Sequence, residues 1–258
     1  GISVFNKKTE RFYQIHNRTN TSGGLSNVYI QGIVEDANRH IWVIGENGID
    51  KLTLPPELNW ESNNWTNDIR FEHLSPKPRK AAAPNVKTIQ VASDNSILIG
   101  FRNGLNEIAN GKISFVELPV HPGDTIQDVN QITALGDDNY LLSRGHTQIL
   151  WNRTNNKKQL FYFPLQLVDD QKYSTTLDTK GRIWITDDLT IWRIDKAALL
   201  AGNFEARLMH RVQLGGVSKL FIDRAGLLWI GTNGFGIYQH NIFNAVSYTH
   251  LRAHETTP

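Results

Sequence analysis

The sequence predicts an all-β fold: a β-propeller of four-stranded blades, incomplete, with about five to six of them. Three observations predict it. One phrase recurs five times along the 258 residues. Each copy is built of short apolar runs separated by Asp, Asn and Gly, the pattern of strands and turns. Helical signals are few, and the best is the short stretch Asp195 to Ala201.

The clearest copy of the phrase is Asp223-Arg224-Ala225-Gly226-Leu227-Leu228-Trp229-Ile230-Gly231-Thr232. Two others run from Asp36 through Trp42 to Gly45 and from Asp178 through Trp184 to Thr186. Weaker copies begin at Asp94 and Asp138, with Leu98 and Leu141 in place of Trp. Aligned on Trp42, Leu98, Leu141, Trp184 and Trp229, the gaps are 56, 43, 43 and 45 residues.

The elements follow in order. Gly1 to Phe5 and Arg11 to Ile15 read as the third and fourth strands of a blade. Each later unit opens with an alternating strand, such as Val217 to Ile222. An Asp turn follows, because Asp bonds the backbone two residues on and Gly tolerates positive φ. The next run, Leu227 to Ile230 in the last unit, is apolar throughout and reads as a strand covered on both faces. A second turn leads to a third strand, Gly236 to His240. Fourth strands are read at Arg70 to Leu74 and Leu160 to Phe163. The blade units are about 1–16, 27–80, 85–120, 129–165, 172–211 and 216–243, the last ending after its third strand. Together they make a partial propeller over 1–245. Residues 246–258 have no repeat character and are similar to translated sequencing-adaptor read-through, so they are expected to be a non-native tail.

Composition narrows the function. A formal net charge of +2 gives no field for nucleic acid, and Lys77-Pro78-Arg79-Lys80 reads as a solvated loop. No apolar run is long enough to span a membrane. The chain has no Cys, which excludes disulfides and thiolate chemistry. No His-Glu-x-x-His or Asp-x-Asp-x-Asp-Gly spacing occurs, so no metal is expected, and no cofactor motif is present.

The phrase Asp-x-x-Gly-x-Leu/Ile-Trp-Ile-Gly-Thr resembles the two-component regulator propeller repeat. So does the run-in Gly24-Leu25-Ser26-Asn27, which in that family leads into the first strand of a blade. The resemblance covers residues 1 to about 243. It implies the periplasmic part of a bacterial membrane sensor, with further blades, downstream sensor domains and a kinase or cyclase output as its partners. It also implies a carbohydrate fragment as ligand, a homodimer as an assembly to test, and no catalysis.

Candidate contact residues follow from the repeat. The turn after the second strand recurs once per blade, so Glu46, Arg102, Arg144, His146, Asp187 and Asn233 are expected on one face. Trp42, Trp184 and Trp229 lie mid-strand and read as core. Trp60 and Trp65 lie outside the repeat, in the insertion Thr53–Asp68, among amide side chains. That mixture suits ligand contact; the alternative is that the insertion folds its Trp residues onto the blade edge. Two other classes remain: a propeller glycosidase or lyase, for which no convergent carboxylate pair can be nominated, and a protein-interaction propeller.

Overall fold

The computed structural model describes residues 1–16, 24–60, 62, 65–76, 85–120, 128–144, 147–162, 174–186, 189–212, 216–241 and 248–251, with side chains up to residue 240. It is an all-β propeller of four-stranded antiparallel blades. The chain divides into two compact units, Gly1–Val129 and Asn130–Pro258.

The first unit holds three sheets. Strands β1 (Ile2–Asn6) and β2 (Arg11–Ile15) form a two-stranded sheet. Strands β3 (Ile30–Glu35), β4 (His40–Gly45), β5 (Gly48–Thr53) and β6 (Arg70–Leu74) form the first four-stranded sheet. Strands β7 (Val86–Val91), β8 (Ile97–Phe101), β9 (Gly104–Ala109) and β10 (Lys112–Val116) form the second.

The second unit holds three more. The third sheet is β11 (Gln131–Gly136), β12 (Asn139–Arg144), β13 (Thr147–Asn152) and β14 (Lys157–Tyr162). The fourth is β15 (Ser174–Leu177), β16 (Arg182–Thr186), β17 (Thr190–Asp195) and β18 (Arg207–Arg211). Helix α1 (Lys196–Leu200) follows β17, where the Asp195 side chain caps it by accepting from Ala198 N–H. The fifth sheet is β19 (Val217–Ile222), β20 (Leu227–Thr232), β21 (Ile237–Asn241) and β22 (Tyr248–Leu251).

That last strand corrects the reading of the fifth unit as ending after three strands. Segment 248–251 pairs antiparallel with β21. It satisfies backbone groups that β21 would otherwise leave open along its edge, and such pairing needs no repeat signature.

The core lies between sheets. Trp42, Ile44 and Ile49 of the first sheet pack on Val86, Ile97, Ile99 and Phe101 of the second. Trp184 and Ile191 of the fourth pack on Val217, Leu220, Leu228 and Ile230 of the fifth. Trp184 is 2% exposed. Trp229 differs from the core expectation. Register places it beside Phe221, on the side of the fifth sheet opposite Leu220, Leu228 and Ile230. Phe221 is 60% exposed there, and Trp229 is half-buried.

The structure explains the repeated phrase. Asp36, Asp178 and Asp223 each accept a hydrogen bond from the indole N–H six residues on, at 2.9, 3.0 and 2.8 Å. The other carboxylate oxygen accepts the backbone N–H four residues on, from His40, Arg182 and Leu227. One side chain thus closes the turn and fixes the Trp rotamer.

The second sheet corrects the sequence alignment. Asp36 N–H donates to His40 C=O, and the matching bond runs from Ala92 N–H to Ser96 C=O. Ala92, not Asp94, therefore stands at the Asp position, opposite Leu98 at the Trp position. Asp94 instead holds Ser96 inside the turn, accepting from its N–H and its hydroxyl.

Candidate functional site

The turns after the second strands put the expected contact residues in unlike surroundings. Glu46 and Arg102 are exposed on equivalent turns of the first and second sheets. Arg102 N–H donates to Asn85 C=O, which fixes its backbone and leaves the side chain outward. In the second unit, Asn233 is exposed, with its N–H on Gly216 C=O. Arg144 is corrected from an exposed turn residue to a buried one, 2% exposed. It is the last residue of β12, and its carbonyl accepts the Thr147 hydroxyl at 2.8 Å. His146 and Asp187 lie outside the described residues.

The insertion Trp residues settle on the edge of the first unit. A 3-10 turn (Trp65–Asp68) buries Trp65, 8% exposed, against the core beneath the first sheet. Trp60 is half-buried. The two indoles are 5.1 Å apart, and each packs on Tyr13 of β2, at 4.9 Å for Trp60 and 5.7 Å for Trp65. Of the pair, Trp60 is the more exposed.

A polar constellation that sequence reasoning missed lies beside Glu46. Asp50 of β5 is fully buried. It accepts from Ser26 N–H at 3.0 Å, the Ser26 hydroxyl at 2.6 Å and Asn27 Nδ2 at 3.2 Å, and pairs with His73 Nδ1 at 2.6 Å. Asn27 Oδ1 accepts Asn47 N–H, and Asn47 Nδ2 donates to Ser26 C=O. The Ser26-Asn27 pair of the run-in is thus a latch that fixes the Glu46-Asn47 turn. Gly45 is required beside it, since a Cβ there would stand 2.6 Å from Asn27 Oδ1 and 2.3 Å from Tyr29 C=O. The run-in phrase was the available signal, but nothing in its spacing named Asp50, more than twenty residues on.

The electrostatics are those of committed groups. Burial raises the Asp36 and Asp178 carboxyls. The indole donors Trp42 and Trp184, the backbone N–H groups and the His40 and Arg182 side chains outweigh it and hold both below the usual carboxylate range. Asp223 is also lowered, first by Trp229 and then by backbone N–H groups. Burial lowers His210, His240 and Lys219, and His210 adds to the effect on His240. Among the described residues, Ser26, Asp50 and His73 form one hydrogen-bonded group, in which the serine hydroxyl and the imidazole both meet Asp50 Oδ1.

No protein-family model and no curated protein sequence matches the chain. Solved structures do match. The extracellular domain of a protein described as a hybrid two-component system, BT3049 of B. thetaiotaomicron, aligns with a TM-score of 0.65 at 20% identity, over 92% of this chain and 30% of that one. The extracellular domain of BT4673, from the same organism and similarly described, gives 0.56 at 15% identity, over 88% and 34%. A luciferin-regenerating enzyme gives 0.60 at 12% identity, over 86% and 75%. The chain spans about a third of the two sensor domains. At these identities the likeness is one of fold alone, shared by the two sensor extracellular domains and by the luciferin-regenerating enzyme.

Proposed function

We propose that this chain is a ligand-sensing propeller segment of a bacterial membrane signalling protein, of the two-component regulator propeller type. In this reading it recognises a carbohydrate fragment in the periplasm and catalyses nothing. One conjunction supports the reading most. The Asp–Trp phrase that resembles that family's repeat lies in a chain whose fold follows a sensor's extracellular domain over 92% of its length. Ser26 supports the non-catalytic part, because its hydroxyl is committed to Asp50. Glu46, Arg102 and Asn233 stay as exposed turn contacts, and Trp60 as an outlying one. Further blades, downstream sensor domains and a second copy of the sensor are the partners.

Calorimetric titration of the chain with neutral and acidic oligosaccharides tests this, with the recovered glycans analysed by mass spectrometry. Binding without turnover is the expected result. Cleavage of any glycan sinks the non-catalytic reading, and silence across the panel sinks the carbohydrate one.

A further inference from the structure

The first and second sheets of the first unit leave a cleft of ≈ 480 Å³ between them, at the end of β4 away from Glu46. We propose that this cleft is a binding site for a neutral mono- or disaccharide; the choice of ligand class rests on the carbohydrate reading above, and the location does not.

Size is the first argument. The volume falls in the range of small-ligand sites, about 300–1,000 Å³. Chemistry is the second. The residues that line it include apolar side chains, the buried Ile97 and Ile108 with the half-buried Leu74, and three amides, the exposed Asn38 and Asn110 with the half-buried Asn95. A pyranose matches both, with C–H faces and a girdle of hydroxyls that each donate and accept. Amides carry both roles, so they complement hydroxyls whichever way these point.

The charges argue against an anionic ligand. Lys51 Nζ lies 5.4 Å from the Trp42 ring centroid and 3.9 Å from Glu72 Oε2, so the lysine of the lining already has a carboxylate beside it, while Asp94 accepts from Ser96. Asp36 is committed to Trp42 and His40. No unbalanced cation waits for a carboxylate or phosphate among these groups. The Lys51 ammonium and Glu72 carboxylate together offer a donor and an acceptor to vicinal hydroxyls.

The cleft is also built in advance. Ala37 N–H in the turn of the first sheet donates to Asn95 Oδ1 in the turn of the second, at 2.6 Å. That bond pins the two rims across a separation of 58 residues. Asp36 holds the His40 ring at 2.9 Å. A ligand entering here orders few new groups, which is how a small polar contact set yields usable affinity.

The test is isothermal titration of the full chain with a panel of neutral mono- and disaccharides, repeated on two variants. Lys51→Ala with Glu72→Ala removes the charged pair, a partly exposed one whose loss leaves the fold intact. Ala37→Trp fills the mouth while keeping the backbone bond to Asn95. We expect a sugar that binds the native chain to lose at least ~10-fold in affinity in both variants. Native-like binding in both overturns the cleft and leaves the carbohydrate reading standing. No binding of any sugar by the native chain overturns both.

Discussion

The Trp184 indole N–H donates to Asp178 Oδ2 at 3.0 Å, across six residues of chain, and both partners are buried. Asp178 also receives the backbone N–H groups of Lys180 and Arg182 and the Arg182 Nε. Asp178→Ala removes the shared acceptor of these donors, the buried Trp184 indole among them. The expected loss is roughly 2–3 kcal/mol, the desolvation cost of buried groups left unpaired. Trp184→Ala is expected to cost about 3–5 kcal/mol, as for deleting a packed aromatic. Trp229→Ala is expected to cost distinctly less, because that ring is half-buried. Denaturant midpoints check the order; equal losses for Trp184 and Trp229 contradict it.

Acid should unfold the chain through the same carboxylates. Asp36 and Asp178 titrate below their unfolded value of 3.8. Their contribution is therefore complete above that value and is lost as pH falls through the lower folded one. His210 and His240, both lowered from 6.5, begin to erode stability earlier, because the unfolded chain takes up protons that the folded one resists. Urea midpoints between about pH 7 and pH 2 should show a shallow decline and then a steep one. In Asp178→Ala the steep part should flatten; an unchanged profile counts against this assignment.

Opening the latch should loosen a turn without unfolding a sheet. Asn27→Ala removes the acceptor of Asn47 N–H and the donors to Gly48 C=O and Asp50. Hydrogen exchange should speed up at Asn47 and Ser26, while β4 and β5 keep their protection. Faster exchange spread evenly over the first unit means that the run-in is a core element.

In the insertion, Trp65→Ala should destabilise by about 3 kcal/mol or more, since its side chain is buried. Trp60→Ala should cost about 1–2 kcal/mol, combining a half-buried ring with two aromatic neighbours. The contacts with Tyr13 and Trp65 place this above the cost expected of an exposed side chain. Guanidinium titrations of both variants check the order; equal losses contradict it.

Apolar sheet faces should make the isolated chain self-associate. Phe12 is 72% exposed and packs on Phe5 with ring centroids 4.9 Å apart, and Phe221 is 60% exposed beside Trp229. Contiguous exposed apolar surface of this kind favours association. Light scattering should report oligomers that Phe221→Lys and Phe12→Lys diminish. A monodisperse parent chain refutes this.

Much of the fold was legible because a propeller writes its register into the sequence as a period. The Asp turn, the apolar second strand and the short helix after Asp195 could all be read from local pattern. What stayed hidden was carried by contacts without a period. Ala92 was passed over because Asp94, two residues on, looked like the phrase. Asp50 was passed over because its partners Ser26, Asn27 and His73 lie on other elements. Arg144 was placed in a turn by analogy, whereas the strand before it runs one residue longer and takes its side chain inside. The cleft was invisible because its two rims meet only when Ala37 and Asn95 fold together.

The Asp–Trp bond also constrains how the repeats can diverge. The first, fourth and fifth sheets have both partners, while the second has neither, with Ala92 and Leu98 in their places. Losing the Asp alone strands an indole N–H, and losing the Trp alone leaves a cavity over a carboxylate short of a donor. Each single step lowers fitness for folding, yet the double replacement restores a consistent apolar pair. The two positions are therefore expected to show sign epistasis: introducing Asp at 92 should harm the chain unless Trp arrives at 98 with it. Among these four sheets the fastening is present or absent as a unit, with no copy that keeps one partner alone.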